Sequence, residues 1–511
     1  MALKIFTGFM PELMENILNN LNDESYSLYS CALVSQYWCK MSIPVLWQDP
    51  FSFDQNPLFI SKYISSLDED EKFILKKSGI NVVSSKTLFE YASFIKILDI
   101  FRLENMVEKW IKSQLADSKS YCSPLKFHIR DLLLKLFIES GATLRKLDIY
   151  FSNNKIPPTI FFSLGQNVQF FSQLQDLTLC ICVLSYFDIE NVSSLLTMSQ
   201  ENVTALLKIL TKIATKISVL KIDEFFPSYS PQVFHALVSI IKSQKQLREF
   251  HIIGMDNPKK FHGIILALES QKQSLREVII EDCDYNAEFK TLMNCENLET
   301  IRVRFCNDER MLKMLDYKIT TLEITTFEFK IDASNIVLIL EKSGALLQRL
   351  KLKSEMILEQ SLLLETLKSF CPNLTYLNIS DIVFSTQLLD LIDNLKKLQF
   401  LTLSCIDATL VEEQIIQFTK SLPFTLQYLD LCSNSVNSNI DILLNHCNAP
   451  LRKLLIGGHI YEEKYIKALI EFCKRNITLK YLGADLYTKD RYIKVKEYVT
   501  VLPHDHLIVD C

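Results

Sequence analysis

A short leucine pattern repeats along this chain of 511 residues and constrains its fold more than any other feature. Thirteen segments of the form Leu-x-x-Leu-x-Leu can be aligned, with Ile, Val or Phe replacing Leu at some positions. They begin at Leu144, Leu174, Ile217, Leu247, Leu275, Leu298, Ile319, Leu347, Leu374, Leu398, Leu426, Leu451 and Leu479. Their mean spacing is about 28 residues, a period typical of stacked repeat arrays. One such hexapeptide is common by chance, whereas thirteen in phase predict repeats that bury each other's leucines.

Each repeat is predicted to contain a strand and a helix. The last two leucines of a segment are two residues apart, so in a strand they point to one side. Sequence patterns between the segments predict helices over Ser230–Lys245, Gln387–Lys397, Glu412–Leu422 and Glu463–Arg475. The 43-residue step from Leu174 to Ile217 predicts an inserted loop around Asp188–Gln200. The repeats resemble leucine-rich repeats of the helical, longer subtype. This implies an α/β solenoid over residues 141–511, with about 13 repeats, parallel strands on the concave face and helices on the convex face.

The stretch from Met10 to Trp47 has a different pattern, that of several short amphipathic helices. Pro11 suits a first helical turn because its missing N–H is not needed there. Leu13, Ile17, Leu18 and Leu21 follow at helical spacing and predict one apolar stripe. A unit of this size cannot bury all of its apolar surface alone, so we expect part of that surface to contact another protein.

This stretch resembles the F-box, and with the repeats the chain resembles F-box proteins with C-terminal leucine-rich repeats. The matching residues are Met10-Pro11-Glu12, Ile17, Leu21, Leu33-Val34-Ser35-Gln36-Tyr37-Trp38 and Leu46-Trp47. Met10 stands where Leu is usual, and Gln36 where a basic residue is common. The resemblance implies an all-helical F-box in residues 1–50 that docks a Skp1-like adaptor and, through it, a cullin–RING ubiquitin ligase. The adaptor-binding residues it implies are Met10, Pro11, Leu13, Ile17, Leu21, Val34, Ser35, Trp38 and Trp47.

Residues 51–140 lack both patterns. Spaced apolar residues from Leu88 to Leu115 predict mostly helix. We interpret this zone as a helical linker that caps the repeats, with a degenerate first repeat in Phe94–Ile100.

Residues that flank the inward leucines are predicted to face a groove on the concave side. Positively charged residues of the middle repeats are Arg302, Arg304, Arg349, Lys351 and Lys353, and aromatic residues of the later repeats are Tyr376, Phe400, Tyr428 and Tyr481. Lys453 interrupts the aromatic series. We predict substrate binding by these residues, Lys353 and Lys453 excepted, in a groove with a basic middle and an aromatic second half, because aromatic side chains are favoured binding anchors. An equally weighted alternative is that the tyrosines only pack on each other along the sheet.

Composition and motifs argue against enzymes and nucleic-acid binding. The net charge is -5, and glycine occurs only 10 times, so phosphate-cradling loops and phosphate-backbone binding are not expected. His504-Asp505-His506 could pose as a metal cluster, but a polar cap on the last repeat is the favoured interpretation. We therefore expect no catalytic residue, no metal, no cofactor and no membrane contact. The sequence start lacks a signal-peptide pattern, which favours the cytoplasm, the nucleus or both.

Two functions of different classes fit the sequence. In the first, the chain is the substrate-recognition subunit of a Skp1–cullin–F-box ubiquitin ligase and its repeats bind an unknown protein target. In the second, it is a ligase-independent leucine-rich-repeat scaffold or sensor. Co-purification with the adaptor discriminates between them.

Overall fold

The structure is a computed structural model of the chain. It describes residues 11–21, 24–52, 56–82, 87–115, 122–151, 157–181, 192–255, 257–314, 318–327, 330–405, 411–431, 439–457, 463–484 and 494–509. The chain forms two compact units. The first comprises Met1–His251 with His262–Gln271, and the second comprises Ile252–Phe261 with Lys272–Cys511.

The first unit begins with helices and continues with strand-plus-helix repeats. Its helices are α1 (Pro11–Asn19), α2 (Ser25–Ala32), α3 (Gln36–Leu46), α4 (Ile60–Ile64), α5 (Glu69–Lys77), α6 (Ile100–Gln114), α7 (Cys122–Glu139), α8 (Pro158–Gln166), α9 (Val192–Ile213), α10 (Pro231–Ser243) and α11 (Ile264–Ala267). Its strands are β1 (Ile97–Asp99), β2 (Lys146–Tyr150), β3 (Asp176–Cys180) and β4 (Val219–Phe225), and β5 (Glu249–Gly254) begins in this unit and ends in the second.

The strands β1 to β4 pair in parallel, in chain order. Leu98, Leu147, Leu177 and Leu220 occupy the same register position in successive strands, and all four are buried. Each leucine thus completes the core of the strand beside it, which is the packing that a repeat array requires.

The second unit extends the same plan. Its strands are β6 (Glu277–Glu281), β7 (Thr300–Arg304), β8 (Thr321–Thr325), β9 (Ile331–Asp332), β10 (Arg349–Lys353), β11 (Ile357–Leu358), β12 (Tyr376–Ile382), β13 (Phe400–Cys405), β14 (Tyr428–Asp430), β15 (Lys453–Leu455), β16 (Tyr481–Ala484) and β17 (Thr500–Pro503). Its α-helices are α12 (Ala333–Ser343), α13 (Gln360–Phe370), α14 (Thr386–Asn394), α15 (Glu412–Ser421), α16 (Ile440–His446) and α17 (Glu463–Arg475). β9 and β11 form a separate two-stranded sheet, and the other strands pair in parallel.

One register position runs through this unit without a slip. It is occupied by Val278, Ile301, Leu322, Leu350, Leu377, Leu401, Leu429, Leu454, Leu482 and Val501. All of these residues except Val501 are buried. We call this row the leucine ladder.

The predicted α/β repeat fold is confirmed for the repeats. All thirteen leucine segments contain a strand, and the four predicted helices are α10, α14, α15 and α17, with ends that differ by up to three residues. The predicted inserted loop around Asp188–Gln200 is wrong where it is described, because Val192–Ile213 is a helix of 22 residues. β17 was not predicted, and β1 lies where a degenerate first repeat is predicted. After β6 and β7 the chain forms the 3₁₀ helices Ala287–Asn294 and Glu309–Met314 instead of α-helices.

Two buried glutamines join neighbouring repeats of the first unit. Gln244 Oε1 accepts from the backbone N–H of Ile217 at 3.0 Å. Gln271 Oε1 accepts from Leu247 N at 3.3 Å, and its Nε2 donates to the carbonyl oxygens of Ile241 and Gln244, both at 3.0 Å. These side chains provide hydrogen-bond partners for buried backbone groups at the turn between helix and strand.

Replacing Gln271 by Leu should therefore destabilise the protein. The variant leaves a buried N–H and two buried carbonyls without this partner, at a cost of about 2–4 kcal/mol in the free energy of unfolding. Urea denaturation measures the difference. The matched control is Gln273→Leu, since Gln273 is exposed and its amide reaches only the exposed Glu296 carboxylate in a bond of 3.2 Å. Equal denaturation midpoints for the two variants would contradict this role of Gln271.

Candidate protein-interaction surfaces

The first three helices enclose a small apolar core. Met14 and Leu18 of α1 pack with Leu28 of α2 and Val45 of α3, and all four are buried. Ser35 caps the N-terminus of α3, since its hydroxyl accepts from the backbone N–H of Trp38 at 3.2 Å. Residues from all three helices thus form the core of a small helical bundle.

Other apolar residues, in α1 and in the turn between α2 and α3, are exposed. The exposed fractions are 40% for Leu13, 45% for Ile17, 71% for Leu33 and 65% for Val34. Leu13 and Ile17 are four residues apart in α1 and therefore lie on one helix face. The predicted single stripe is corrected here. Met14 and Leu18 form the inward row, while Leu13 and Ile17 form an outward row beside it.

The remaining residues of the predicted adaptor site differ in how far they are exposed to solvent. Pro11 is exposed, and Leu21 and Trp38 are half-buried against the bundle core. Trp47 packs on aromatic rings of the following segment, with ring centroids 4.1 Å from Tyr91, 5.3 Å from Tyr63 and 6.1 Å from Phe59. Met10 lies outside the described residues. Tyr26 and Tyr29 of α2 are exposed residues that the motif does not single out.

Three of the predicted positively charged residues of the second unit come together around one buried carboxylate. Glu323 on β8 is 1% exposed and lies in register with Arg302 on β7 and Lys351 on β10. Arg304 donates to both Glu323 oxygens at 3.0 and 2.8 Å, and Arg302 donates to one at 3.3 Å. The Lys351 ammonium lies 2.9 Å from Glu323 Oε1.

Two further carboxylates pair with the arginines. Glu277 Oε1 accepts from Arg302 Nε at 2.8 Å, and Glu281 lies 3.8 Å from Arg304. Three cations of the predicted basic middle, Arg302, Arg304 and Lys351, therefore face three carboxylates within the sheet. The fifth position of each leucine segment could have indicated this arrangement, because it places Arg302, Glu323 and Lys351 on consecutive strands of the sheet.

The surrounding cations keep Glu323 ionised. Burial would raise the pKa of its carboxyl, but hydrogen bonds from Arg304 and Lys351 outweigh burial and hold the pKa below its usual 4.5. The cluster thus stabilises the buried negative charge of Glu323, which would be unfavourable in the interior without these cations.

The predicted aromatic residues form a row across β12 to β14. Ring centroids are 6.3 Å apart for Tyr376 and Phe400 and 5.9 Å apart for Phe400 and Tyr428. The Arg349 guanidinium lies 4.6 Å from the Tyr376 ring centroid. Tyr376 and Tyr428 are buried, whereas Tyr481 on β16 is exposed. The row thus has the mutual packing that the alternative interpretation predicted.

The segment of residues 507–509 lies against this row. Leu507 is buried with Tyr428 and Leu455, and Phe400, Leu502 and Val509 border this cluster. The Tyr376 hydroxyl donates to the carbonyl oxygen of Val509 at 3.1 Å. A cavity of about 510 Å³ adjoins the segment, and its lining includes Glu323, Lys351, Asn378, Asp430, His504 and Val509. Its lining carries both signs of charge.

His504, the first residue of the motif His504-Asp505-His506, contacts the protein backbone. One of its ring nitrogens, Nε2, lies 2.9 Å from the carbonyl oxygen of Ile456. Among the residues that the structure describes, no group of three potential metal ligands comes together. None of the described helices combines the length and apolar content needed to cross a membrane.

Comparison with known proteins gives similarity to solved structures. No family model and no curated protein matches the sequence. Among solved structures, the chain is similar to a chain of "Crystal structure of Rad7 and Elc1 complex in yeast", with 13% sequence identity and a TM-score of 0.39. The alignment covers 80% of this chain and 98% of that chain.

Glu323→Gln should destabilise the protein by about 3–5 kcal/mol at pH 7, because half-buried cations lose their shared carboxylate. Since folding lowers the pKa of Glu323, its contribution is fully present above the unfolded-state pKa of about 4.5 and disappears as the pH falls through the lower folded-state pKa. The gap in unfolding free energy between wild type and variant should therefore narrow below about pH 4.5.

Urea denaturation across pH 3–8 measures this gap. Glu299→Gln is the matched control, because Glu299 is 52% exposed and lies 3.6 Å from the exposed Arg276. A surface pair of this kind contributes at most about 1 kcal/mol. A gap for Glu323→Gln that is as small as the control's, or that is independent of pH, would contradict the proposed charge cluster.

Proposed function

We propose that this protein is the substrate-recognition subunit of a Skp1–cullin–F-box type ubiquitin ligase, with α1 to α3 docking a Skp1-like adaptor. The observation that carries the proposal is the outward row of Leu13 and Ile17 on α1, together with exposed Val34 in the turn between α2 and α3. The bundle core is already complete without these side chains. Exposed apolar residues clustered in a small helical bundle are typical of a protein-binding surface.

The repeats supply the second half of this proposal. Parallel strands bring side chains from many repeats onto one face of the second unit, where a protein target can contact several of them at once. The chain then acts by tethering, since holding target and ligase together raises their effective concentration. The reaction chemistry belongs to the partner enzymes. Such a subunit acts in the cytoplasm, the nucleus or both.

Ile17→Asp should weaken adaptor binding at least about tenfold, because an interface residue of this type is worth more than 1 kcal/mol when buried by a partner. The fold should persist, since the side chain is exposed and lies outside the bundle core. The experiment measures the affinity of the purified full chain for a purified Skp1-type adaptor by biolayer interferometry.

Leu338→Asp is the control, because Leu338 of α12 is an exposed leucine distant in sequence from the motif. It should bind the adaptor like wild type. If wild type does not bind the adaptor, or if Ile17→Asp binds it equally well, the receptor proposal is wrong. The scaffold function would then be the remaining candidate.

A further inference from the structure

The cavity of about 510 Å³ in the second unit contains three polar side chains that do not belong to the charge cluster around Glu323. Its volume lies in the range of cavities that hold small organic molecules. The three are Lys353 on β10, and Ser380 and Asp381 on β12. Lys353 and Ser380 each directly follow one residue of a pair that is in register between these two strands. A cation, a hydroxyl and a carboxylate are therefore carried by neighbouring strands, about 4.8 Å apart.

Lys353 supplies a positive charge that the charge cluster does not neutralise. Among the residues that the structure describes, no carboxylate lies within ion-pair distance of its ammonium. Its Nζ lies 5.5 Å from the ring centroid of Phe327, over the face of the ring. The Lys353 side chain is exposed, so its ammonium can bind an anionic group of a ligand without first breaking an ion pair.

Ser380 supplies a buried hydroxyl. It follows Asn378 by two positions, so both side chains lie on the cavity side of the sheet. Ser380 is 6% exposed, and its hydroxyl oxygen has no partner in hydrogen-bond geometry among the described residues. A buried hydroxyl without such a partner costs free energy, and a ligand that bonds to it recovers that cost.

Asp381 supplies a negative charge whose compensation is incomplete. Burial raises the pKa of its carboxyl above the usual 3.8, and the nearby Lys353 ammonium and Ser380 hydroxyl oppose this shift only in part. A ligand ammonium beside Asp381 would supply the missing positive charge.

An apolar wall adjoins these polar groups. Phe305 and Phe327 both line the cavity, and their rings stack with centroids 5.2 Å apart. Phe327 is 49% exposed, so a ligand can cover part of its surface. Leu403 on β13 adds aliphatic surface to the lining. Because Lys353 lies over Phe327, an anionic group bound at Lys353 places the rest of a small ligand beside apolar surface.

We propose that this cavity binds a free α-amino acid with an apolar side chain. The ligand carboxylate binds the Lys353 ammonium and accepts from the Ser380 hydroxyl, and the ligand ammonium donates to the Asp381 carboxylate. The ligand side chain packs against Phe327. An α-amino acid carries both charged groups on one carbon atom, which suits a cation and a carboxylate on neighbouring strands. This binding site is separate from the adaptor surface of α1 to α3 and does not depend on the proposed receptor function.

The test is isothermal titration calorimetry of the purified full chain with L-phenylalanine, for which we expect saturable binding. Two analogues each lack one charged group: 3-phenylpropionate lacks the ammonium, and phenethylamine lacks the carboxylate. Each should bind at least about tenfold more weakly, because each loses a charge-assisted hydrogen bond. Absence of saturable binding of L-phenylalanine would overturn the proposal, as would an equal affinity for either analogue.

Lys353→Met and Asp381→Asn each remove one charge with little change in side-chain size, and each should weaken L-phenylalanine binding at least about tenfold. Lys420→Met is the matched control and should bind like wild type, because Lys420 of α15 is exposed and lies outside the cavity lining. Circular dichroism checks that the variants are folded, and Lys353→Met alone decides the test if Asp381→Asn unfolds. Unchanged affinity in folded Lys353→Met would contradict the proposal. The adaptor does not enter this measurement, so its outcome is separable from that of the receptor proposal.

Discussion

The leucine ladder is the constraint on which the second unit depends. A strand of five residues cannot bury two leucines by itself, so each strand is stable only between neighbours in the same register. That register runs from Val278 on β6 to Val501 on β17 through ten parallel strands. Because side chains alternate along a strand, fixing the leucines also fixes which residues form the opposite face. The composition of the candidate interaction surface is therefore a consequence of core packing.

This alignment also explains the charge cluster. Equivalent positions on neighbouring strands are only about 4.8 Å apart, so like charges there would repel and opposite charges attract. Glu323 stands between Arg302 and Lys351 in the same register, and this alternation of sign allows three half-buried cations to coexist.

The sequence predicts the strands that carry the repeated leucine pattern, but not the strand and the contacts that lack it. Leu-x-Leu alternation located thirteen strands, because each carries the same local signature. β17 escaped prediction because Thr500-Val501-Leu502-Pro503 lacks a leucine three residues before its inward valine. The contact between Tyr376 and Val509 joins residues 133 positions apart and leaves no local pattern. Glu323 carries no such signature by itself, and its role follows only from its register with Arg302 and Lys351 on the neighbouring strands.

In the F-box-like stretch, the residues that carry the resemblance also differ from the residues that are exposed. Leu21, Trp38 and Trp47 carry much of the resemblance, yet they pack within the bundle or onto Tyr63 and Tyr91. Close packing restricts which large side chains can occupy a core position, so core positions make a motif easy to detect. Residues that face a partner are less restricted by packing, since many kinds of side chain can be exposed to solvent when no partner is bound. Resemblance in this stretch therefore reports chiefly on how the helices pack, and binding must be judged from residues such as Ile17 and Val34 that the core leaves exposed.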